Sequence, residues 1–430
     1  MTLTVHRATS TGVLADALGD LLARPVDDPF ADELVVVPER GIERWLAQRL
    51  SHRLGAGPRG GDGVCAGVRF LKPHSLVALL IDRDRDDPWE PSRLVWTVLA
   101  VIDTHLDEPW CAPLARHLGA VLAPGEPAEL GELRRSRRWA VARRLAGLLG
   151  SYASQRPRLL VDWREGRPLD GAGEPLPDDL HWQAELWRRV LDAVDAPPPD
   201  VRHERTVAAL RAGEVEELDL PGRLSLFGHT RLPAAEMELL AALGEHRDVH
   251  LWLPVASTAV ARALDAHAPV GAAAPVRADH DTDVLVHHPL LAALGRDARE
   301  LGLRLAALPG VAVVTHDEHD EPEPSASLLH LLQSDVRADR LPDEHDRAAR
   351  TRAVDTSVQV HACHGPARQV EVLREVLVGL LADDPTLEPR DVLVMCPDVE
   401  TYAPLIEAGF GLAGALDEGS IARIVKRAIA

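Results

Sequence analysis

A short apolar segment, Leu34–Val37, constrains the fold of this chain more than any other feature of its sequence. Four consecutive aliphatic residues are typical of a strand that is buried on both faces, as the strands of parallel sheets are. The segment is followed by the loop Pro38–Gly41 and by a helical pattern from Ile42 to about Leu54. A buried strand, a short loop and a helix in this order predict an α/β fold, and they are a common opening of nucleotide-binding folds.

Further strands are predicted on both sides of a long helical region. Strand patterns occur at Leu3–His6, Leu224–Phe227 and Val249–Leu253. Residues 76–215, in contrast, are mostly helical in pattern. The simplest topology is a sheet that is interrupted by an inserted helical domain and then resumed. We therefore predict that Leu34–Val37 and Leu224–Phe227 lie in one parallel sheet, apart from the inserted helices.

The pattern changes after residue 314. A polar stretch with one short apolar helix at Leu328–Leu332 predicts a linker. Strands are then predicted at Ser357–Ala362 and Asp391–Met395, with a helix at about Ala367–Leu381 between them. The predicted domains are a first α/β domain (1–75 and 216–314), a helical insertion (76–215), a linker (315–356) and the start of a second α/β domain (357–430).

The composition excludes lysine-dependent ATP hydrolysis. Lysine occurs only at Lys72 and Lys426, and neither follows a glycine, so the sequence contains no phosphate loop of the Walker type. Glu39 and Glu43 oppose a bound phosphate at the start of the first predicted α/β helix, which favours a structural turn for Pro38–Gly41. Nuclease centres that combine paired acids with lysine are disfavoured for the same reason. We therefore predict no ATPase site, no nuclease site and no cofactor in this chain.

Cysteine and histidine provide weaker candidates for chemistry. Cys65 has the spacing of a nucleophile elbow, but a glycine-rich loop precedes it, and Phe70 indicates a following strand where the elbow needs a helix. The histidine–cysteine motif at residues 361–364 and the histidine run at residues 316–319 lack a second pair of ligands at zinc-finger spacing. Cys65 is therefore predicted to be a small buried residue in a loop, and no metal site is predicted.

The sequence shows no pattern of secretion or membrane insertion. It has no apolar run near the ~18 residues of a membrane span, and its start does not have the pattern of a signal peptide. Its four cysteines lie far apart without a Cys-x-x-Cys pair, which indicates reduced thiols. We therefore expect a cytoplasmic protein.

An arginine-rich segment is the clearest candidate for binding nucleic acid. Residues 134–144 contain six arginines and a tryptophan. On a continuous helix, Arg134, Arg137 and Arg138 share part of one surface with that tryptophan, which suits phosphate contacts beside a base-stacking ring. The alternative is a solvated face with Trp139 in the core. Because the net charge is −20, DNA binding must rest on such a local basic surface or on a partner subunit.

Longer segments of the sequence resemble a known family. Residues 357–373 (Ser-Val-Gln-Val-His-Ala-Cys-His-Gly-Pro-Ala-Arg-Gln-Val-Glu-Val-Leu) and 384–395 (Asp-Pro-Thr-Leu-Glu-Pro-Arg-Asp-Val-Leu-Val-Met) are similar to the RecC family, the gamma subunits of exodeoxyribonuclease V. Shorter similar segments are residues 41–46, 182–187, 289–295 and 331–335. The resemblance covers about residues 1–411.

The resemblance implies a fold and a set of partners. It implies a degenerate superfamily 1 helicase-like, P-loop-type α/β domain with a large helical insertion, followed by the start of a second helicase-like domain. It also implies a heterotrimer with a motor and nuclease β subunit and a helicase α subunit, which resects double-strand breaks for recombinational repair. Single-stranded DNA and duplex ends are the implied ligands, and ATP and Mg²⁺ are expected in the partner subunits.

Candidate DNA-binding residues follow from the same resemblance. In the family this subunit guides single strands and scans the 3′-ended strand for a regulatory octamer, and Leu148 and Arg156 match residues of that scanning surface. The resemblance also implies that Arg40, Arg44 and Lys72 replace uncharged residues of the best-known members and that Gly147 and Gly150 replace acids. A surface that has lost acids and gained cations is expected to bind phosphate well and to read bases differently. The candidate DNA-binding residues are Arg40, Arg44, Lys72, Arg134, Arg137, Arg138, Leu148 and Arg156.

Three functions remain open from the sequence. The first is a non-catalytic scaffold subunit that guides DNA in an exodeoxyribonuclease V complex. The second is a truncated, inactive fragment or interaction module that keeps the fold without binding DNA, in line with the acidic charge and with residues 412–430, which no longer resemble the family. The third is a thiol enzyme based on Cys65.

Overall fold

The computed structural model describes residues 2–24, 26, 28, 30–54, 56–57, 60–61, 63–81, 87–215, 218, 220–267, 282–316, 327–350 and 355–411. These residues divide into two units, the second of which contains residues 355–411. The tail 412–430 and residues 317–326 of the predicted linker lie outside the described residues. Within the described part of the chain, no helix combines the length and the apolar composition needed to cross a membrane.

A parallel sheet forms the centre of the first unit. The described strands are β1 (Leu3–Ala8), β2 (Glu33–Val36), β3 (Ala56–Gly57), β4 (Gly60–Gly61), β5 (Val68–Leu71), β6 (Arg223–Phe227), β7 (Asp248–Pro254) and β8 (Ala312–Thr315). All except β3 and β4, a short antiparallel pair, form one sheet in the order β5-β2-β6-β7-β1-β8. Leu34 pairs with Leu224 and Val36 with Leu226 in parallel register, which confirms the predicted pairing of these two strands.

Strand β2 is buried on both faces, as its aliphatic sequence predicted. Leu34 and Val36 belong to the core on one face of the sheet, whereas Val35 and Val37 belong to the core on the other face. All four are at most 1% exposed. Burial of an aliphatic side chain stabilises a fold by about 1.5–3 kcal/mol, so both faces of β2 must be covered by other elements. The chain therefore has the predicted α/β fold with a parallel sheet.

Helices cover both faces of this sheet and build most of the remaining structure. The described helices are α1 (Thr11–Leu22), α2 (Arg40–Leu54), α3 (Pro73–Leu80), α4 (Pro91–His105), α5 (Ala112–His117), α6 (Ala128–Arg135), α7 (Arg138–Gln155), α8 (Pro157–Arg164), α9 (His181–Ala193), α10 (Pro199–Arg211), α11 (Ala234–Gly244), α12 (Thr258–His267), α13 (Pro289–Leu294), α14 (Arg296–Ala307), α15 (Leu328–Arg337), α16 (Glu344–Arg350), α17 (Gly365–Asp383) and α18 (Val399–Gly411).

Helices α1 and α2 lie side by side on one face of the sheet. Helix α1 begins after Ser10, whose Oγ accepts a hydrogen bond from the Val13 backbone N–H at 3.4 Å. Its residue Asp16 accepts two hydrogen bonds of 2.8 Å from the Arg49 guanidinium of α2. This bidentate pair fixes α2 against α1, and with it the first turn of α2.

The helical lobe, residues 89–196, has a hydrophobic core of its own. Trp89, Trp163 and Trp187 are all buried in this core, which is built mainly from α4, α7, α8 and α9. The flanking helices α3 and α10 instead pack on the sheet core through Leu76, Leu80 and Leu210. The core of the inserted lobe therefore includes a shorter part of the chain than the predicted insertion, residues 76–215. The division of the chain into domains stays a prediction.

The second unit contains the predicted helix but not the predicted strands. Helix α17 covers the predicted range and packs against α18 through Val370 and Phe410. Residues 357–362 and 391–395, which we expected to be strands, are not in strands, and Val360 and Leu393 are 92% and 82% exposed. The prediction was wrong because a strand forms only when a neighbouring strand pairs with it, and the described part of this unit contains none.

Candidate nucleic-acid interface

The carboxyl edge of the sheet brings several basic side chains to one side of the molecule. Strand β2 is followed by Arg40 at the start of α2, and the neighbouring strand β5 is followed directly by Lys72. On the other side of β2, strand β6 is followed by a turn that contains Arg231. Because parallel strands end at the same edge of a sheet, these three residues lie along that edge. The crevice outside the carboxyl ends of the strands is where open α/β sheets bind ligands.

The end of α7 adds Arg156 to this edge. Gln155, the last residue of α7, accepts a hydrogen bond from the Arg231 guanidinium at 3.3 Å. Arg156 follows it and separates α7 from α8, with a backbone that is neither helical nor extended (φ −140°, ψ 55°). The contact with Arg231 therefore places this corner of the helical lobe beside the turn after β6. We call Arg40, Arg44, Lys72 and Arg156 the basic edge.

The four side chains of the basic edge are available to bind an anion. All four are exposed, and none makes an ion pair or a side-chain hydrogen bond with another described residue. Arg40 and Arg44 are four residues apart on α2, so they lie on the same side of the helix. Glu39 and Glu43 lie at the same helix start and oppose a phosphate bound at the backbone amides. Two exposed arginines on one side of a helix suit contacts to the backbone of an extended polyanion.

The arginine-rich segment has a different structure from the one expected. A continuous helix over residues 134–144 was predicted, but α6 ends at Arg135 and α7 begins at Arg138. The prediction of a continuous helix was wrong, since residues 136 and 137 form a turn between the two helices. Arg134 and Arg138 therefore lie on separate helices, and helical spacing no longer places them on one surface.

Two of the three arginines expected at that surface are engaged inside the chain. Arg134 donates hydrogen bonds of 2.9 and 2.8 Å to Glu126, which holds the pKa of that carboxyl below its usual range. Arg138 pairs with Asp103 at 3.1 Å. Arg137 is exposed and has no ion pair among the described residues. Binding of DNA at these three positions stays a prediction, with Arg137 the most accessible of them.

Trp139 is not in the core, where the solvated-face alternative placed it, and a purely solvated role of the arginines stays a prediction. Its side chain is 42% exposed and lies against Trp96 of α4, which is 62% exposed. Their ring centroids are 4.6 Å apart and the rings are tilted by 50°. Exposure of Trp96 could not be predicted, since it lies in an apolar helix among buried neighbours.

A cavity of about 300 Å³ lies beside α7, close to the remaining predicted site residue. Leu148 is half-buried on α7, and its neighbours Gly147 and Gly150 line the cavity. A side chain at Gly147 would meet nothing within 4 Å, so the space is open there. Glu236 lines the opposite wall, and burial raises the pKa of its carboxyl.

The remaining candidates for chemistry were Cys65 and the histidine motifs. Strand β5 follows Cys65, as predicted, so the residue is not in a nucleophile elbow, and burial raises the pKa of its thiol. No group of three histidine, cysteine, aspartate or glutamate side chains that could hold a metal ion occurs among the described residues. Residues 317–319 of the histidine run lie outside them.

The turn between β2 and α2 is too short to wrap a phosphate. Only residues 37–39 separate the strand from the helix, whereas a Walker loop spans eight positions and ends in lysine and serine or threonine. We expect no saturable binding of a fluorescent ATP analogue to this chain at millimolar concentration. A binding isotherm that is abolished by excess ATP would contradict this expectation.

Sequence reasoning missed Arg231 and Trp96. Arg231 follows the predicted strand Leu224–Phe227 by a few residues, in the same relation as Arg40 to β2. The position of a basic residue just after a buried strand was therefore a usable signal. Trp96 had no comparable signal, because its exposure depends on how α4 and α7 pack.

Comparisons with known proteins agree with the resemblance seen in the sequence. A family model described as "RecC, N-terminal domain" matches residues 3–339. The chain is 54% identical to the RecBCD enzyme subunit RecC of Mycolicibacterium smegmatis and 53% identical to that of Mycobacterium tuberculosis, in each case over 96% of this chain. It is 26% identical to the Escherichia coli subunit, again over 96% of this chain. The matches span 35%, 36% and 38% of these relatives, so the chain corresponds to little more than a third of their length.

Proposed function

The chain belongs to the RecC family, and from this premise we propose that it is a non-catalytic subunit that guides single-stranded DNA in a RecBCD-type helicase and nuclease complex. Catalysis, ATP and Mg²⁺ then belong to a motor and nuclease subunit and to a helicase subunit. The proposed role is resection of double-strand breaks in recombinational repair, in the cytoplasm. The parallel sheet with its helical lobe and without a phosphate loop supports a degenerate helicase-like domain in this role.

The basic edge is the observation that carries this proposal. The four cations of the basic edge are exposed and make no ion pair with a described residue. They lie directly after a strand, in the first two turns of α2 or directly after α7. The chain as a whole has a net charge of −20, so it does not attract a polyanion in general. Binding of a polyanion must therefore rest on a local group of unpaired cations such as the basic edge. We infer that the backbone of a single strand crosses the carboxyl edge of the sheet at Arg40, Arg44 and Arg156.

The neighbouring cavity fits a second part of the same proposal. A single strand has unstacked bases that a protein can take into a pocket. The cavity beside Gly147 and Gly150 is lined by Glu236 and by Trp89, whose indole N–H has no hydrogen-bond partner among the described residues. A pocket without the acids of the best-known members offers different hydrogen bonds to a base. We therefore propose that this chain reads bases differently from those members.

The test is the salt dependence of binding to a labelled oligothymidylate. Replacing Arg40, Arg44 and Arg156 with alanine removes three phosphate contacts, so the slope of log affinity against log salt should fall by about 2, at about 0.7 per contact. Binding should weaken similarly for all sequences, because phosphate contacts carry no base information. Fluorescence anisotropy at several salt concentrations measures both quantities.

Arg167 and Arg188 provide a matched control. Both are arginines of the helical lobe whose charges are already balanced, by Asp162 and by Glu185. Replacing them with alanine should leave the salt slope nearly unchanged. An unchanged slope in the triple variant of the basic edge would contradict DNA binding there. It would favour the alternative function, an interaction module that binds no DNA. Capture of the partner subunits by the same variant would support that alternative.

A further inference from the structure

The exposed tryptophan pair on the helical lobe is not explained by folding. Trp96 and Trp139 are 62% and 42% exposed, although burial of a tryptophan side chain removes a large apolar area from water and stabilises a fold strongly. Their ring centroids lie 4.6 Å apart. Two large rings that touch each other and still face solvent on the surface of a folded lobe indicate a contact with another molecule.

The charges around the pair favour a polyanion. Arg143 is one turn from Trp139 on α7, and Arg137 lies just before α7. Both are exposed and have no ion pair with any described residue. Asp103 on α4 is paired with Arg138. An apolar protein surface would desolvate the two free guanidiniums without supplying a counter-charge, whereas a nucleic acid supplies both phosphates and rings.

The position of the pair relates it to the basic edge. Trp139 is near the first residue of α7, and Arg156 follows its last residue, so a rise of about 1.5 Å per residue puts them about 25 Å apart along the helix. The exposed Arg143 and Arg144 lie four and five residues after Trp139 on the same helix, and residues 145–155 contain no further cation. Helix α7 therefore connects the aromatic pair, with these two arginines beside it, to the basic edge at its other end.

We propose that Trp96 and Trp139 form a base-stacking platform for the single strand whose backbone crosses the basic edge. This inference rests on the proposed function and adds a separate site to it. Unstacked bases of any sequence stack on the exposed indole faces while Arg143 contacts the backbone. Stacking releases no counterions, so the platform contributes to affinity without contributing to the salt slope.

The experiment compares an oligothymidylate with an abasic oligonucleotide of the same length, using the full chain. Replacing both tryptophans with leucine, W96L and W139L, keeps apolar side chains but removes the aromatic faces. Binding of the oligothymidylate should weaken about tenfold or more, and the salt slope should not change. Binding of the abasic oligonucleotide should be unaffected. The variant with phenylalanine at both positions should recover most of the affinity.

Exposed Leu133 on α6 is the matched control. It is 65% exposed, and L133A should not affect the binding of either oligonucleotide. The platform is overturned if the leucine variant binds the oligothymidylate as tightly as the native chain. The proposed function still stands in that case if replacing Arg40, Arg44 and Arg156 weakens binding. Absence of binding by the native chain overturns both. Loss of a partner subunit with full retention of DNA binding shows a protein-docking surface instead and also overturns the platform.

Discussion

Replacing Trp187 with alanine is expected to destabilise the helical lobe by about 3–5 kcal/mol. Trp187 is 1% exposed, and its indole N–H donates a hydrogen bond of 3.1 Å to the Leu160 carbonyl. Its ring also lies 5.4 Å from that of Trp89, between centroids. Alanine removes these contacts and leaves a large cavity, which the packed helices around it can fill only partly. Urea denaturation followed by circular dichroism measures the loss.

Trp96 is the control for this prediction. It is the same residue type in the same lobe, but most of its side chain is in solvent. Replacing it with alanine should change the free energy of unfolding by less than about 1 kcal/mol. Equal destabilisation by the two substitutions would contradict the assignment of Trp187 to the core. It would also give the exposed tryptophan pair a structural role, against the platform proposed above.

The sheet could be predicted from the sequence because its strands are buried on both faces. A run such as Leu34–Val37 has few alternatives, and the pairing of Leu34 with Leu224 follows once both runs are strands of one sheet. Ser357–Ala362 instead alternates polar and apolar residues, and whether such a segment becomes a strand depends on the presence of a partner strand. A pattern of side chains therefore predicts a strand well only where the neighbouring strands can also be predicted.

The candidate site was less predictable because its electrostatics depend on distant residues. Arg138 is balanced by Asp103, which is 35 positions earlier on another helix, and no local pattern distinguishes it from the free Arg137. The packing of α6 also depends on distant residues. A Cβ atom at Gly119 would lie 2.6 Å from the Gly131 carbonyl oxygen, so the loop before α6 packs directly on that helix. Intrinsic helix propensity contains no information on such a contact.

Three histidines, His6, His250 and His316, form a row across the sheet. The ring nitrogens of His6 lie 3.1 Å from His316 Nε2 and 3.1 Å from His250 Nδ1. The His6 ring also stacks on Trp252, with centroids 3.8 Å apart. Burial, and then the neighbouring His250 and His316, lower the pKa of His6 to about 3. Burial likewise lowers the pKa of His229, at the carboxyl edge of the sheet, to about 4.

Histidines of this kind make the folded chain sensitive to acid. In the unfolded chain His6 and His229 bind a proton below about pH 6.5, whereas in the folded chain they stay neutral until much lower pH. Stability is therefore fully present above pH 6.5 and is lost as the pH falls toward 4 and then 3. At pH 5 we expect each residue to cost about 1–2 kcal/mol relative to pH 8, a range that allows for partial access of solvent.

Substitution of His6 with phenylalanine separates this effect from other titrations. Phenylalanine keeps a ring on Trp252 but has no proton to bind, so the difference in unfolding free energy between pH 8 and pH 5 should shrink by about 1–2 kcal/mol. Absolute stability at pH 8 should fall, because His250 and His316 lose their hydrogen-bond partner. Urea titrations at the two pH values measure both. Substitution of the exposed His52 with glutamine is the control and should leave the difference in unfolding free energy between the two pH values unchanged. If the His6 variant shows the same difference as the native chain, the row of histidines does not cause the acid sensitivity.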